Sequence, residues 1–317
     1  MDNGNERLIW SDRWRLGALS RNEVLNICFA SILIGFLMVL FHLLGNRVEN
    51  VESASAFKWM VARWADRESF GEDYSHGYLI PFVSLWVIWY KRKEFRNVPR
   101  RVCRWGLVVI ISALLLHWLG AKVQQTRISL VSLIMLIWGI PLYFWGWGVA
   151  RLLIFPCAYL IFCVPLNFLN SISGQLQRIA VALGHSGVEA LGIECTRQGS
   201  MLVSPYFSFN VEKACSGLRS LLAMTALTAI YAYYTQTHII KQWLLFWLCI
   251  PIAVLGNIAR IISIALVAVT TGQEYAGGLH HDWAGYLFFA VAIASMVGCG
   301  KLLSLDYRRM FSKWKRA

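Results

Sequence analysis

The longest apolar stretch of the sequence is KQWLLFWLCIPIAVLGNIARIISIALVAVTTG, residues 241–272, and it decides the fold. A helix needs about 20 residues to cross a bilayer, so this stretch is long enough for one bent crossing or for two short helices. Pro251, Gly256 and Asn257 interrupt it and are plausible points for a kink. The choice between one helix and two sets the side of the membrane on which all later residues lie.

The composition describes a polytopic membrane protein. Hydrophobic residues make up 57% of the chain, charged residues 15%, and the mean hydropathy is +0.53. The formal net charge is +13, but the Lys and Arg residues gather in short blocks between apolar segments. Such blocks indicate membrane topology instead of a nucleic-acid surface. The expected partner is therefore the lipid bilayer, and no nucleic acid.

The apolar segments predict an all-α protein with about eight transmembrane helices. We expect a single membrane domain over residues 1–317, with basic cytoplasmic tails at 1–22 and 305–317 and no appended outer domain. The predicted spans lie at 24–44, 77–90, 105–121, 128–147, 149–166, 216–235, 242–271 and 284–304.

Basic residues set the orientation. They precede the first predicted span, fill the loop 91–104 and follow the last span, which places both termini in the cytoplasm. This agrees with an even number of spans and with one bent crossing over 241–272. Cys215, Arg260 and His281 then meet near the outer face, whereas two crossings would separate His281 from Cys215 by the membrane thickness.

Two long segments are predicted outside the membrane. Residues 46–75 form an acidic loop. Residues 175–193 have apolar residues at helical spacing, which predicts an amphipathic helix at the interface. After it, 201–203 and 206–209 predict a short hairpin that leads into a polar run before the next span.

Cys215 is the candidate nucleophile. It lies in EKACSGLRS, residues 212–220, where a polar run enters an apolar segment. A helix beginning there would present its positive dipole end to the thiol and lower the thiol pKa. Arg219, four residues later, either stabilises a thiolate or extends to lipid headgroups. The cysteines inside apolar runs are expected to be packing residues: Cys28, Cys157, Cys163, Cys249 and Cys299.

An arginine and two histidines complete the set of candidates. Arg260 stands among isoleucines and should face an internal polar cavity, because a charge in lipid is unfavourable. His280 and His281 are interface residues or metal ligands, but no HExxH motif accompanies them, so a zinc protease is not indicated. His281 is the candidate proton carrier. Asp282 either hydrogen-bonds near the site or caps the last helix.

The same residues carry a family resemblance. EKACSGLRS (212–220), NIAR (257–260) and HDWAG (281–285), in this order, resemble the exosortase/archaeosortase family. YSHG (74–77) and Pro251 are similar to the same pattern, so the likeness covers most of the chain.

The resemblance implies roles for individual residues. Cys215 would be the nucleophile, Arg260 an oxyanion or substrate stabiliser, and His281 the acid/base. The supporting residues would be Arg219, Glu212, Asn257, Asp282 and His76. No cofactor and no metal are expected.

The resemblance also implies a sorting enzyme of the inner membrane. Its substrates would be exported proteins that end in a PEP-CTERM-type signal: a short motif, a transmembrane helix and a basic cluster. Attack by Cys215 would form a thioester with the substrate. Its acyl group could then pass to water or to an envelope lipid or glycan acceptor. The alternative is a transporter or scaffold for envelope polysaccharide, which needs no reactive thiol.

Overall fold

The computed structural model describes residues 21–44, 55–65, 74–165, 168–211 and 218–305. These residues form an all-α membrane protein with one small sheet, as the sequence predicts. The helices are α1 (Arg21–Met38), α2 (Ala56–Ala65), α3 (Leu79–Tyr90), α4 (Arg92–Asn97), α5 (Trp105–Lys122), α6 (Thr126–Trp145), α7 (Trp147–Tyr159), α8 (Phe168–Ala190), α9 (Leu218–Thr235), α10 (Ile239–Thr271), α11 (Gln273–Tyr275) and α12 (His281–Ser304). The strands are β1 (Thr196–Gln198), β2 (Met201–Ser204) and β3 (Phe207–Asn210).

Shorter turns extend several helices. A π-helical turn, Val39–Leu43, continues α1, and 3₁₀ turns at Ser75–Tyr78 and Leu160–Cys163 precede α3 and follow α7. A second π-helical turn, Ala276–His280, joins α11 to α12 and is kinked at Gly278, where φ is −98° and ψ is −108°.

Within the described residues, 4 helical segments are long and apolar enough to cross a membrane: α5, α6, α10 and Gln273–Ser304. Shorter apolar helices lie at Cys28–Leu43, Trp147–Cys163 and Leu221–Thr235. Every predicted span contains one of the observed helices, with ends that differ by a few residues.

The stretch that decides the fold is one helix. α10 runs for 33 residues through Pro251 and ends at Gly272, whose φ of +97° lies in the left-handed region that glycine favours. The prediction of one continuous helix over 241–272, instead of two short ones, is therefore confirmed. α10 packs against α8, α9 and α12, so it forms the centre of the C-terminal half of the bundle.

The helix and hairpin predicted between the fifth and sixth spans are both present. α8 buries Ala180, Val181 and Val188 against α10, and its glycines allow close contact: a Cβ on Gly184 would lie 2.9 Å from Cγ2 of Ile261. The strands form an antiparallel sheet in the order β1-β2-β3, so β1 adds a strand to the predicted hairpin. Phe207 of β3 packs into the same cluster as α8 and α10.

Helix α2 lies inside the predicted loop 46–75, which is a correction to the sequence analysis. The Ser55 hydroxyl accepts a hydrogen bond from the Lys58 amide at 3.1 Å, as an N-cap does. Trp59 and Trp64 are buried, and Trp64 Nε1 donates to the carbonyl of Cys163 at 2.8 Å. The acidic residues on both sides of this short helix led to the prediction of a loop, and its two buried tryptophans were given no weight.

Candidate functional site

Arg260 and His281 form a hydrogen-bonded pair between α10 and α12. Arg260 Nη2 donates to His281 Nε2 at 2.9 Å and to the His281 backbone carbonyl at 3.1 Å. The two residues are 21 positions apart in sequence, and the return of the chain through α11 and the π-helical turn brings them together. Both side chains are partly buried.

The pair fixes the tautomer of His281. A guanidinium has only donors, so Nε2 must accept, and a neutral ring then carries its proton on Nδ1. That nitrogen lies 3.1 Å from Oδ1 of Asp282, the orientation in which Nδ1–H donates to the carboxylate. Asp282 is in the first turn of α12, and its side chain is 76% exposed. Asp282 therefore orients the imidazole, and its negative charge also suits a helix N-terminus.

Arg260 lines a small cavity whose wall is partly polar and partly apolar. The cavity has a volume of about 40 Å³, which is enough for one or a few water molecules. Asn257, one turn before Arg260, also lines it, as does Met224 on the second turn of α9. Within the described part of the chain, Arg260 Nε is buried without a hydrogen-bond partner, and no carboxylate lies within ion-pair distance of the guanidinium. The site is therefore electropositive and has donors left for an anion or a carbonyl oxygen.

Gly285 makes room for the guanidinium. A Cβ on Gly285 would lie 3.1 Å from Nη2 and 3.2 Å from Cζ of Arg260. Gly285 is one turn after His281 on α12, so the helix that supplies the imidazole also leaves space for its partner. Gly285 belongs to the HDWAG motif, and its only signal in the sequence is that of an isolated glycine within a helical pattern.

His280 makes a different contact from its neighbour. Ser263 Oγ donates to the Arg260 carbonyl at 2.9 Å and lies 3.4 Å from His280 Nε2. His280 thus lies against α10 one turn beyond the Arg260–His281 pair. No group of three or more His, Cys, Asp or Glu residues suited to a metal ion occurs among the residues that the structure describes.

The other candidate residues lie elsewhere. Cys215 and Glu212 fall outside the described residues, and Arg219 is in the first turn of α9, with its side chain also outside them. His76 lies on the 3₁₀ turn before α3, where its ring stacks on Tyr74 at 5.8 Å. Tyr74 belongs to a core cluster with Trp64 of α2, which is separate from the α8–α10 cluster.

Four of the cysteines that the structure describes are buried. Cys157, Cys163 and Cys249 are buried in core clusters, as expected for packing residues. Cys195, before β1, is also buried, and burial together with the charge of Glu189 raises its thiol pKa. None of these four thiols has the exposure that a nucleophile needs.

Comparison with known proteins gives one match. The family model described as transmembrane exosortase matches residues 64–298. This range includes the cysteine motif, all of α10 and the Arg260–His281 pair. Neither the curated proteins nor the solved structures contain a match to this chain.

Proposed function

The chain belongs to the transmembrane exosortase family, a family of membrane sorting enzymes, and we propose that it is a cysteine peptidase or transpeptidase. Its substrates would be exported proteins that carry a C-terminal motif, a transmembrane helix and a basic cluster, the PEP-CTERM type of signal. The product thioester would pass to an envelope acceptor or to water. The observation that carries this proposal is the Arg260–His281 pair, because it combines an oriented imidazole with unused guanidinium donors.

The helix that follows the cysteine motif supports Cys215 as the nucleophile. Met224 of α9 lines the same cavity as Arg260, so α9 passes directly beside the pair. Cys215 precedes the first residue of α9, Leu218, by less than one helical turn. The thiol is thereby tied, through a short stretch of chain, to the helix that borders the electropositive site.

The chemistry assigned to these residues is acyl transfer. His281 Nε2 takes the proton of the Cys215 thiol, and the thiolate attacks the scissile carbonyl carbon. The carbonyl oxygen gains negative charge and accepts hydrogen bonds from the Arg260 guanidinium. When the C–N bond breaks, the leaving amine takes the proton from His281 Nε2, and a thioester remains. An acceptor amine or hydroxyl, or water, then gives its proton to His281 Nε2 and displaces the thiolate, and the proton passes from His281 to restore the Cys215 thiol.

The hydrogen bond between Arg260 and His281 links oxyanion binding to activation of the base in this mechanism. Arg260 Nη2 occupies the lone pair of His281 Nε2, so His281 is a base only after that bond is exchanged. A substrate carbonyl that draws the guanidinium toward itself would free Nε2 at the same time. In this proposal, oxyanion binding and activation of the base are one event.

The proposed function also implies where the enzyme lies in the cell and how it is oriented. We place the enzyme in the inner, or plasma, membrane with about eight spans, both termini in the cytoplasm and the site facing outward. The basic blocks of the sequence and the continuity of α10 support this arrangement. The same proposal includes a single membrane domain over residues 1–317 with basic cytoplasmic tails at 1–22 and 305–317.

Polysaccharide transport is the less favoured alternative. A cavity of about 40 Å³ beside Arg260 is too small for a sugar ring, and transport requires neither the oriented His281 nor a reactive thiol. Among the described residues, the space beside Arg260 therefore supports the acyl-transfer proposal better than glycan binding.

The experiment that tests the proposal replaces the nucleophile. Co-expressed with a protein that carries a tripartite C-terminal signal, Cys215→Ala and Cys215→Ser should abolish processing while the enzyme remains in the membrane. The matched control is Cys249→Ala, a buried packing thiol that should keep most of the activity. Full processing by the Cys215→Ala protein would remove the nucleophile assignment and the peptidase proposal with it.

A further inference from the structure

A second cavity lies far along the chain from the Arg260 site, between α1 and the last turns of α6. Its volume is about 450 Å³. Phe29 and Phe144 contact each other edge to face there, with ring centroids 5.1 Å apart. The cavity is lined by apolar side chains and one cation, the principal residues being Phe29, Leu33, Ile140, Phe144, Trp145 and Arg100.

The segment that carries Arg100 is held against α6. The Arg101 amide donates to the Trp145 carbonyl at 3.2 Å, and the Cys103 amide donates to the Tyr143 carbonyl at 3.0 Å. The Arg100 guanidinium lies over the Trp145 ring, 5.7 Å from its centroid. The backbone after Arg100 is therefore held against α6, and the exposed guanidinium lies at the rim of the apolar cavity.

The positive charge around the rim of the cavity favours an anionic ligand. The loop 91–104 is rich in Lys and Arg and contains one carboxylate, Glu94, which lies 3.8 Å from Lys91. An apolar cavity with a basic rim at the end of transmembrane helices suits an anionic phospholipid. Its acyl chain would pack on the aromatic wall, and its phosphate would accept hydrogen bonds from Arg100.

A substrate helix is a poorer occupant for two reasons. A transmembrane helix is roughly 10 Å wide and 30 Å long, several times the volume of this cavity. In addition, the basic tail of a tripartite signal would meet the Arg-rich loop with charge of the same sign.

We propose that this cavity binds one anionic phospholipid, with its phosphate on Arg100 and an acyl chain against Phe29, Leu33 and Phe144. The lipid fills the gap between α1 and α6 and joins α1 to the bundle at this end. The site is independent of the Arg260–His281 pair and of the proposed reaction.

The test is native mass spectrometry of the purified full chain titrated with phosphatidylglycerol or phosphatidylcholine. Wild type should retain one phosphatidylglycerol preferentially. Arg100→Gln should bind it roughly fivefold to tenfold more weakly, from the loss of one basic contact. Arg96→Gln makes the same charge change on α4, outside the cavity lining, and should bind as wild type does.

A second variant tests the contribution of the apolar cavity separately from that of the positive charge. Leu33→Trp fills the cavity and leaves the net charge unchanged, and it should also lose the retained lipid. Equal weakening by Arg100→Gln and Arg96→Gln would show general surface attraction and overturn the proposal. Equal retention of the two lipids by wild type, or full retention by Leu33→Trp, would overturn it as well.

Discussion

Arg260 uses the planar geometry of its guanidinium. One nitrogen, Nη2, serves both Nε2 and the backbone carbonyl of His281, while Nε has no hydrogen-bond partner among the described residues. An ammonium group has the same charge but presents its donors from a single point. A lysine therefore cannot exchange its bond with His281 for a set of fixed, coplanar donors to an oxyanion.

Arg260→Lys should lower the rate of thioester formation by about 100- to 1,000-fold, because it removes a fixed donor to the developing oxyanion. Single-turnover capture of the acyl-enzyme measures this step directly. Arg178→Lys, on an exposed position of α8, is the matched control and should be neutral. A near-normal rate for Arg260→Lys would leave the residue only a general electrostatic role.

The two adjacent histidines should behave differently. His281→Ala removes the imidazole that bonds both Arg260 and Asp282, so turnover should be lost across the pH range. His280→Ala removes only a 3.4 Å contact with Ser263 and should retain much of the activity. Turnover of both variants is measured with and without a chelator. Equal losses, together with inhibition of wild type by the chelator, would indicate a metal site instead.

At the scale of the elements, Gly285 of α12 leaves space for the Arg260 side chain of α10. Gly285→Ala should displace the guanidinium from the position in which it can donate to an oxyanion and lower kcat by about tenfold, with little change in stability. Gly298→Ala lies on the same helix, where a Cβ would meet no atom within 4 Å, and should leave kcat unchanged. The comparison uses kcat and the thermal midpoint of both variants. Equal kcat values would remove the positioning role of Gly285.

The helices could be predicted because lipid imposes a simple rule on sequence. Backbone groups in a bilayer must be satisfied within the segment, so long apolar runs become helices, and α5, α6 and α10 appear where the runs are. Helix α2 was missed because its stability comes from tertiary burial of Trp59 and Trp64 and from a cap by Ser55. A helix this short has no long apolar run that would mark it in the sequence.

The candidate site was predictable in its residue types and not in its contacts. An arginine within an apolar helix and a histidine at the start of another marked Arg260 and His281. Their direct bond, the contact of Ser263 with His280 and the space at Gly285 depend on how closely α10 and α12 approach. Packing distances between helices are set by many side chains at once, and sequence spacing does not contain them.

At the scale of the whole molecule, the position of the site depends on α10 being one helix. Arg260 lies about 16 Å before the C-terminal end of α10, and His281 meets it after the chain turns back through α11. The hairpin β2–β3 packs against the same half of α10 and leads toward Cys215. In the proposed topology, the hairpin, the cysteine motif and His281 all lie on the outer side of the membrane.

The topology can be tested with accessibility tags placed after Gly278 and within the hairpin, at the turn that follows Ser204. Both tags should react with a membrane-impermeant reagent from outside, because one crossing by α10 and the basic cytoplasmic loops require it. A tag in the loop 91–104 is the control and should react only after the membrane is permeabilised. If the two outer tags report opposite sides, Cys215 and His281 are separated by the bilayer, and no acyl transfer between them is possible.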